Sequence, residues 1–207
     1  MIKETVNSIL RSLENSKVNR INGNIYQSLE NVFDNTFVNE ILDTVNQEEN
    51  FVVEHLQKKQ ARVKLKYDNI LQNKLKIIFS HLSIKKFIEK NYDMKVGDVV
   101  PSVWIDSEGY HIQRHTDDGS IAVAMQVYLK TAKRLGTQIY ADMDSVDPLV
   151  TFDYKLNCGY VMLNCDKSFH QTEGTVPAGF KRPSVYIRFR KADYNTKDYK
   201  ENVYYRA

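Results

Sequence analysis

The chain is poor in the residues that interrupt regular structure. Its 207 residues hold four prolines and eight glycines, and the first hundred contain no proline and only Gly23 and Gly97. Few obligatory turns fall there, so helices joined by short connections are expected. Cysteine is scarcer still. Cys158 and Cys165 are too few for a disulfide framework, and buried thiols in a reducing cytosol are expected instead. No apolar run is long enough to span a bilayer, and Met1-Ile2-Lys3-Glu4 lacks the charged-then-apolar pattern of a secretory signal. A cytoplasmic protein without a membrane partner follows. Charge of one sign is lacking too. The net charge is +3, and Lys58-Lys59, Lys85-Lys86 and Lys181-Arg182 are pairs rather than patches. A solvated surface is the simpler reading, and nucleic acid is not the expected partner.

What is present is enough apolar material, 42% of residues, to bury one sizeable core. Helical spacing places Ile2, Val6, Ile9, Leu10 and Leu13 on one stripe, and Phe37, Ile41, Leu42 and Val45 on another behind a capping Asn35. A longer helical region over 69–91 carries Leu71, Leu75, Ile78 and Leu82 on one face. These stripes predict core, not recognition surface. Between them, residues 62–67 alternate like a strand edge. Beyond residue 98 the texture changes to short apolar, β-leaning runs at 121–129, 135–140, 157–164 and 182–189, separated by turn formers. That pattern predicts a β-sandwich or barrel. The chain therefore reads as α+β with a mainly β core and a single domain over 1–207. Residues 1–97 are a mainly helical supporting part, 98–192 the β core, and 193–207 a C-terminal tail.

The chemistry gathers in the second half. His115 and Asp117 form His-x-Asp, His170 stands alone, and Arg182-Pro183-Ser184 follows. Two imidazoles and one carboxylate occupy one face of an octahedron and leave the opposite positions open, which is what iron(II) needs to activate dioxygen. Residues two apart on a strand project to the same side. His115 and Asp117 can thus grip one ion from a strand end while Thr116 faces away, and His170 must arrive from another strand. On the last strand Arg182, Ser184, Tyr186 and Arg188 share a face. Arginines on such a face are costly to bury unless an anion satisfies them. The face is therefore either solvent-exposed or lines a pocket for an acidic ligand. A solvated turn over 114–120, a zinc hydrolase with His, Asp and His ligands, and a β-barrel that binds a metal or organic acid without turnover remain alternatives. His111, four before His115, would share its face on a strand. His55 and His81 have no ligand-spaced partner and read as filler.

The pieces Gly109-Tyr110, His115-Thr116-Asp117-Asp118, Val127-Tyr128-Leu129, Leu135-Gly136-Thr137, Ser168-Phe169-His170 and Arg182-x-Ser184 together resemble the Fe(II)- and 2-oxoglutarate-dependent oxygenases, in particular the prolyl-hydroxylase-like branch with its small bacterial and phage members. The resemblance runs from about Pro101 to Arg190, a little under half of the chain. It implies a double-stranded β-helix, jelly-roll or cupin-like, with N-terminal supporting helices. It implies His115, Asp117 and His170 as catalytic metal ligands. Arg182 would be the partner of the distal carboxylate of 2-oxoglutarate, with Ser184 and Tyr128 as supporting hydroxyls. The family's further co-substrate contact falls near Trp104 and Ile105, and neither matches it. The implied activity is a dioxygenase that uses Fe(II), 2-oxoglutarate and O2, with ascorbate as an accessory reductant. It would hydroxylate a peptidyl proline, amino acid or small metabolite and release succinate and CO2. The Arg182-x5-Arg188 spacing is similar to that of the oxidative demethylases of alkylated nucleic acids, whose upstream Asn-x-Tyr signature is missing here.

Overall fold

The computed structural model describes residues 1–53 and 61–194. His55, the pair Lys58-Lys59 and most of the expected tail lie outside the described residues. Four helices come from the N-terminal half: α1 (Ile2–Asn15), α2 (Asn35–Val45), α3 (Ile70–Phe79) and α4 (Leu82–Tyr92). Their apolar stripes are buried or partly buried, except that Ile2 at the start of α1 is 39% exposed. Two further details differ from the sequence reading. The cap of α2 is Asp34, not Asn35: its carboxylate accepts from the Phe37 N–H at 3.0 Å and from the Thr5 hydroxyl of α1 at 2.6 Å. The long helix over 69–91 is two helices. The chain turns at Ser80, and the His81 side chain accepts from the Ser83 N–H to start α4, which leaves Leu82 62% exposed.

Strands also arise within 1–97. β1 (Asn19–Ile21) and β2 (Asn24–Leu29) form a hairpin whose two-residue turn is Asn22-Gly23, both at positive φ. β3 (Phe51–Val53) pairs with β4 (Arg62–Leu65). Then come β5 (Val96–Asp106), β6 (Ile121–Tyr128), β7 (Thr137–Ile139), β8 (Val150–Phe152), β9 (Gly159–Leu163), β10 (His170–Thr172) and β11 (Arg182–Lys191). The eight-stranded sheet has the order β1-β2-β9-β6-β11-β5-β4-β3, and a three-stranded sheet has the order β10-β7-β8. All the pairings are antiparallel.

Every residue of β6 is buried because both of its faces are covered. Val123, Met125 and Val127 point to the helices. Ala124 and Tyr128 point to an aromatic core with Tyr154, Tyr160 and Phe152 between the sheets. β11 divides in the same way. Val185, Ile187 and Phe189 join the helical core, so the alternate residues Arg182, Ser184, Tyr186 and Arg188 face inward. The helices seal one side of the large sheet, and the small sheet faces the other. Among the described residues no helix is long and apolar enough to cross a membrane, and Cys158 and Cys165 are free thiols.

Candidate metal and carboxylate site

The inward face of the large sheet and the small sheet enclose a cavity of about 260 Å³ that contains all three expected ligands. His115 lies in the loop after β5, where the backbone N–H and C=O groups of His115 and His170 exchange hydrogen bonds at 3.0 and 2.9 Å. This isolated bridge sets the rings 4.3 Å apart between centroids. The His115 and His170 Nε2 atoms lie 4.0 and 3.9 Å from Asp117 Oδ1, and one ligand atom from each residue falls within 4.8 Å of the others. Asp117 is in the loop itself, so the two-residue offset works without a regular strand.

The surroundings hold each ligand in a form that can coordinate. His115 Nδ1 is 2.8 Å from the Gln113 carbonyl and His170 Nδ1 is 2.9 Å from the Ser168 carbonyl. A carbonyl only accepts, so both Nδ1 atoms carry hydrogen and both Nε2 atoms are turned toward Asp117 Oδ1. Burial pushes His170 toward the neutral imidazole, against the pull of Asp117. The Tyr186 hydroxyl donates to Asp117 Oδ2 at 2.6 Å, which leaves Oδ1 as the ligand atom. Burial, with the Asp117 charge beside it, raises the Tyr186 phenol well above its ordinary range, so it stays a donor. Asn164 ties the two ligand loops together. Its amide donates to the Asp118 and Ile121 carbonyls at 2.8 and 3.1 Å, and its carbonyl accepts from Ser168 at 3.2 Å.

Arg182 lines the same cavity and is 2% exposed. Its Nε donates to the Leu135 carbonyl at 2.8 Å and its Nη1 to Asp106 Oδ2 at 2.7 Å, while Nη2 is buried without a partner. Burial opposes the charge of this guanidinium, but Asp106 and two phenols outweigh it and its pKa is raised. The strand face that the sequence left open between solvent and pocket thus lines a pocket. Ser184 and Tyr128 lie behind that wall. Ser184 Oγ accepts from Gln126, which in turn accepts from Tyr160, each at 3.0 Å. Tyr128, with its phenol pushed up to about 12 by burial, donates to Thr137 Oγ1 at 2.8 Å. Thr137 lines the cavity. Of the two residues near the unmatched co-substrate position, Trp104 lines the cavity and Ile105 packs into the helical core. His111 Nδ1 lies 2.9 Å from Thr172 Oγ1, and His111 is not in the cavity wall.

A cavity lined by two imidazoles, one carboxylate oxygen and a buried guanidinium fits a divalent metal together with an organic anion. Residues that the motif pieces do not contain complete it: Tyr186, Asn164, Asp106 and Arg62.

No protein-family profile and no curated protein matches this sequence. Solved structures do. A prolyl-4-hydroxylase from Pseudomonas putida aligns over 92% of this chain and 99% of its own at TM-score 0.61 and 13% identity. A prolyl hydroxylase from Trichoplax adhaerens, solved with a hypoxia-inducible-factor peptide fragment, aligns over 92% and 90% at TM-score 0.64 and 12% identity. An oxidoreductase of the 2OG-Fe(II) oxygenase family from Burkholderia pseudomallei aligns over 92% and 90% at TM-score 0.57 and 11% identity. The chain has the double-stranded β-helix fold of the 2-oxoglutarate- and Fe(II)-dependent oxygenases, as the sequence motifs suggest.

Proposed function

We propose that this protein is an Fe(II)- and 2-oxoglutarate-dependent dioxygenase that hydroxylates a peptide, amino acid or small metabolite. The observation that carries the reading is the convergence of three ligand atoms within 4.8 Å in a cavity that the buried cation Arg182 also lines. A metal site alone would suit a zinc hydrolase, but it would leave a buried cation on that wall without purpose.

In this reading His115, Asp117 and His170 hold the metal, and Arg182 with Thr137 receives the distal carboxylate of 2-oxoglutarate. When bound, iron and keto acid supply the chemistry by which dioxygen hydroxylates an unactivated C–H bond, with the keto acid consumed to succinate and CO2. The protein's own residues provide position. Tyr186 fixes the Asp117 carboxylate, and the Gln113 and Ser168 carbonyls fix the imidazoles. Tyr128 acts through Thr137 and Ser184 through Gln126, each orienting a cavity-wall group rather than touching the co-substrate. Trp104, Ile112 and Ile121 give the cavity apolar wall, which excludes water and strengthens the electrostatic contacts inside.

The test is anaerobic addition of iron(II) and then 2-oxoglutarate to metal-free protein. The expected result is the weak visible charge-transfer band of a metal-chelated keto acid, absent in Asp117→Ala. A folded wild-type protein without the band would refute the reading.

A further inference from the structure

Arg182 is one end of a row. Asp106 of β5 stands opposite Arg182 of β11 on one side and opposite Arg62 of β4 on the other, so three adjacent strands align the three side chains across the sheet. Arg62 Nε donates to Asp106 Oδ1 at 2.6 Å, and Arg182 Nη1 donates to Oδ2 at 2.7 Å. Each carboxylate oxygen of Asp106, which is fully buried, therefore already serves a guanidinium. The Arg62 guanidinium lies between the Trp104 and Tyr110 rings, 4.7 and 4.3 Å from their centroids, so its plane is held. Its terminal nitrogens have no hydrogen bond to any described residue, and Arg62 lines the same cavity as Arg182.

The charges do not balance. Two cations face one anion in a row whose side chains are 11%, 0% and 2% exposed. An excess positive charge at such burial is unfavourable unless an anion enters, and a planar fork is shaped to receive a carboxylate. One added carboxylate beside Arg62 and Arg182 neutralises the row.

We propose that Arg62 and Arg182 form a two-arginine receptor, spaced by Asp106, in which both guanidiniums bind the distal carboxylate of the co-substrate. This rests on the oxygenase reading and adds to it a second anchor that is contributed by β4, two strands away from β11. Arg62 then selects keto acids that carry a second carboxylate.

The test uses the full chain loaded with manganese(II), which avoids turnover, and titration calorimetry with 2-oxoglutarate and with oxalate. Oxalate offers the metal a comparable chelate without a distal carboxylate. Arg62→Met keeps an aliphatic stem between the two rings and removes the charge. It is expected to weaken 2-oxoglutarate binding about tenfold or more and to leave oxalate and manganese(II) affinities unchanged. Equal weakening of both ligands, or a change in neither, overturns the proposal. Should Arg62→Met fail to fold, Arg62→Lys loses the fork while keeping a cation, and it is held to the same selective loss of 2-oxoglutarate affinity. Wild-type protein that binds manganese(II) but not 2-oxoglutarate refutes the oxygenase reading itself, and the receptor with it.

Discussion

At the scale of single residues, the site depends on side chains that orient other side chains. Tyr186 is the clearest case. Its hydroxyl holds the Asp117 oxygen that faces away from the two imidazoles, so Tyr186→Phe frees the carboxylate to rotate. Loss of such an outer partner weakens metal binding by about 10–100-fold. Calorimetric titration of Tyr186→Phe with manganese(II) should show a drop in that range with unchanged thermal stability of the metal-free protein. The candidate ligands are legible in the sequence because the proposed chemistry demands their residue types: only a few side chains bind iron, and Arg182 among hydroxyls calls for an anion. Tyr186 is not legible in the same way. A tyrosine two places beyond a serine on an alternating strand reads equally as core, and its partner Asp117 is 69 positions away. Asp106 is hidden for the same reason, since its two cationic partners come from strands 44 and 76 positions distant.

At the scale of elements, close backbone approach decides whether the wall groups are in place. A Cβ at Gly136 would lie 2.0 Å from the Phe152 carbonyl oxygen of β8. Gly136 stands between Leu135, whose carbonyl receives Arg182, and Thr137, which lines the cavity. Gly136→Ala should therefore displace β7 from β8 and cost about 1–3 kcal/mol. At about 2–4 °C per kcal/mol for a chain of this size, a melting curve should register the loss, and 2-oxoglutarate affinity should fall with it. Asn164 offers a second check on the loops. Asn164→Leu strands two carbonyls and detaches the His170 loop from the Asp117 loop. It should lower stability by about 1–3 kcal/mol and loosen the metal site, measured by thermal melting and manganese(II) titration. The strands β6 and β11 were legible because a nearly all-apolar run, as in β6, or a strict alternation, as in β11, leaves little choice of period, whereas the longest strand, β5, carries Gly97, Asp98 and Pro101 and shows neither pattern. The two strands at one margin of the sheet were not. β3 has three residues and β4 four, too short to show a period, although Asn22-Gly23 is the sequence mark of the β1-β2 hairpin. The division of the helix over 69–91 is written only in Ser80 and His81, which cap without any glycine or proline.

At the scale of the whole molecule, helices on one side and aromatic residues on the other clamp the large sheet, so the metal-free fold has a complete core on both faces. Metal should add stability by binding the folded state. Manganese(II) at about a hundred times its dissociation constant contributes about 2.7 kcal/mol, a rise of about 5–11 °C in melting temperature. Asp117→Ala should abolish that rise. The β core was legible at this scale from the spacing of its runs. The face it presents to the helices was not, because that contact joins segments far apart along the chain. The His115–His170 bridge carries one more implication. Main-chain hydrogen bonds hold these two residues in register. An arriving cation then has little conformational freedom to quench in the protein, and its departure has no strand to unzip. Loading and exchange of metal should accordingly be reversible cycles of a standing clip, with the folded framework indifferent to which partner of the cycle is present.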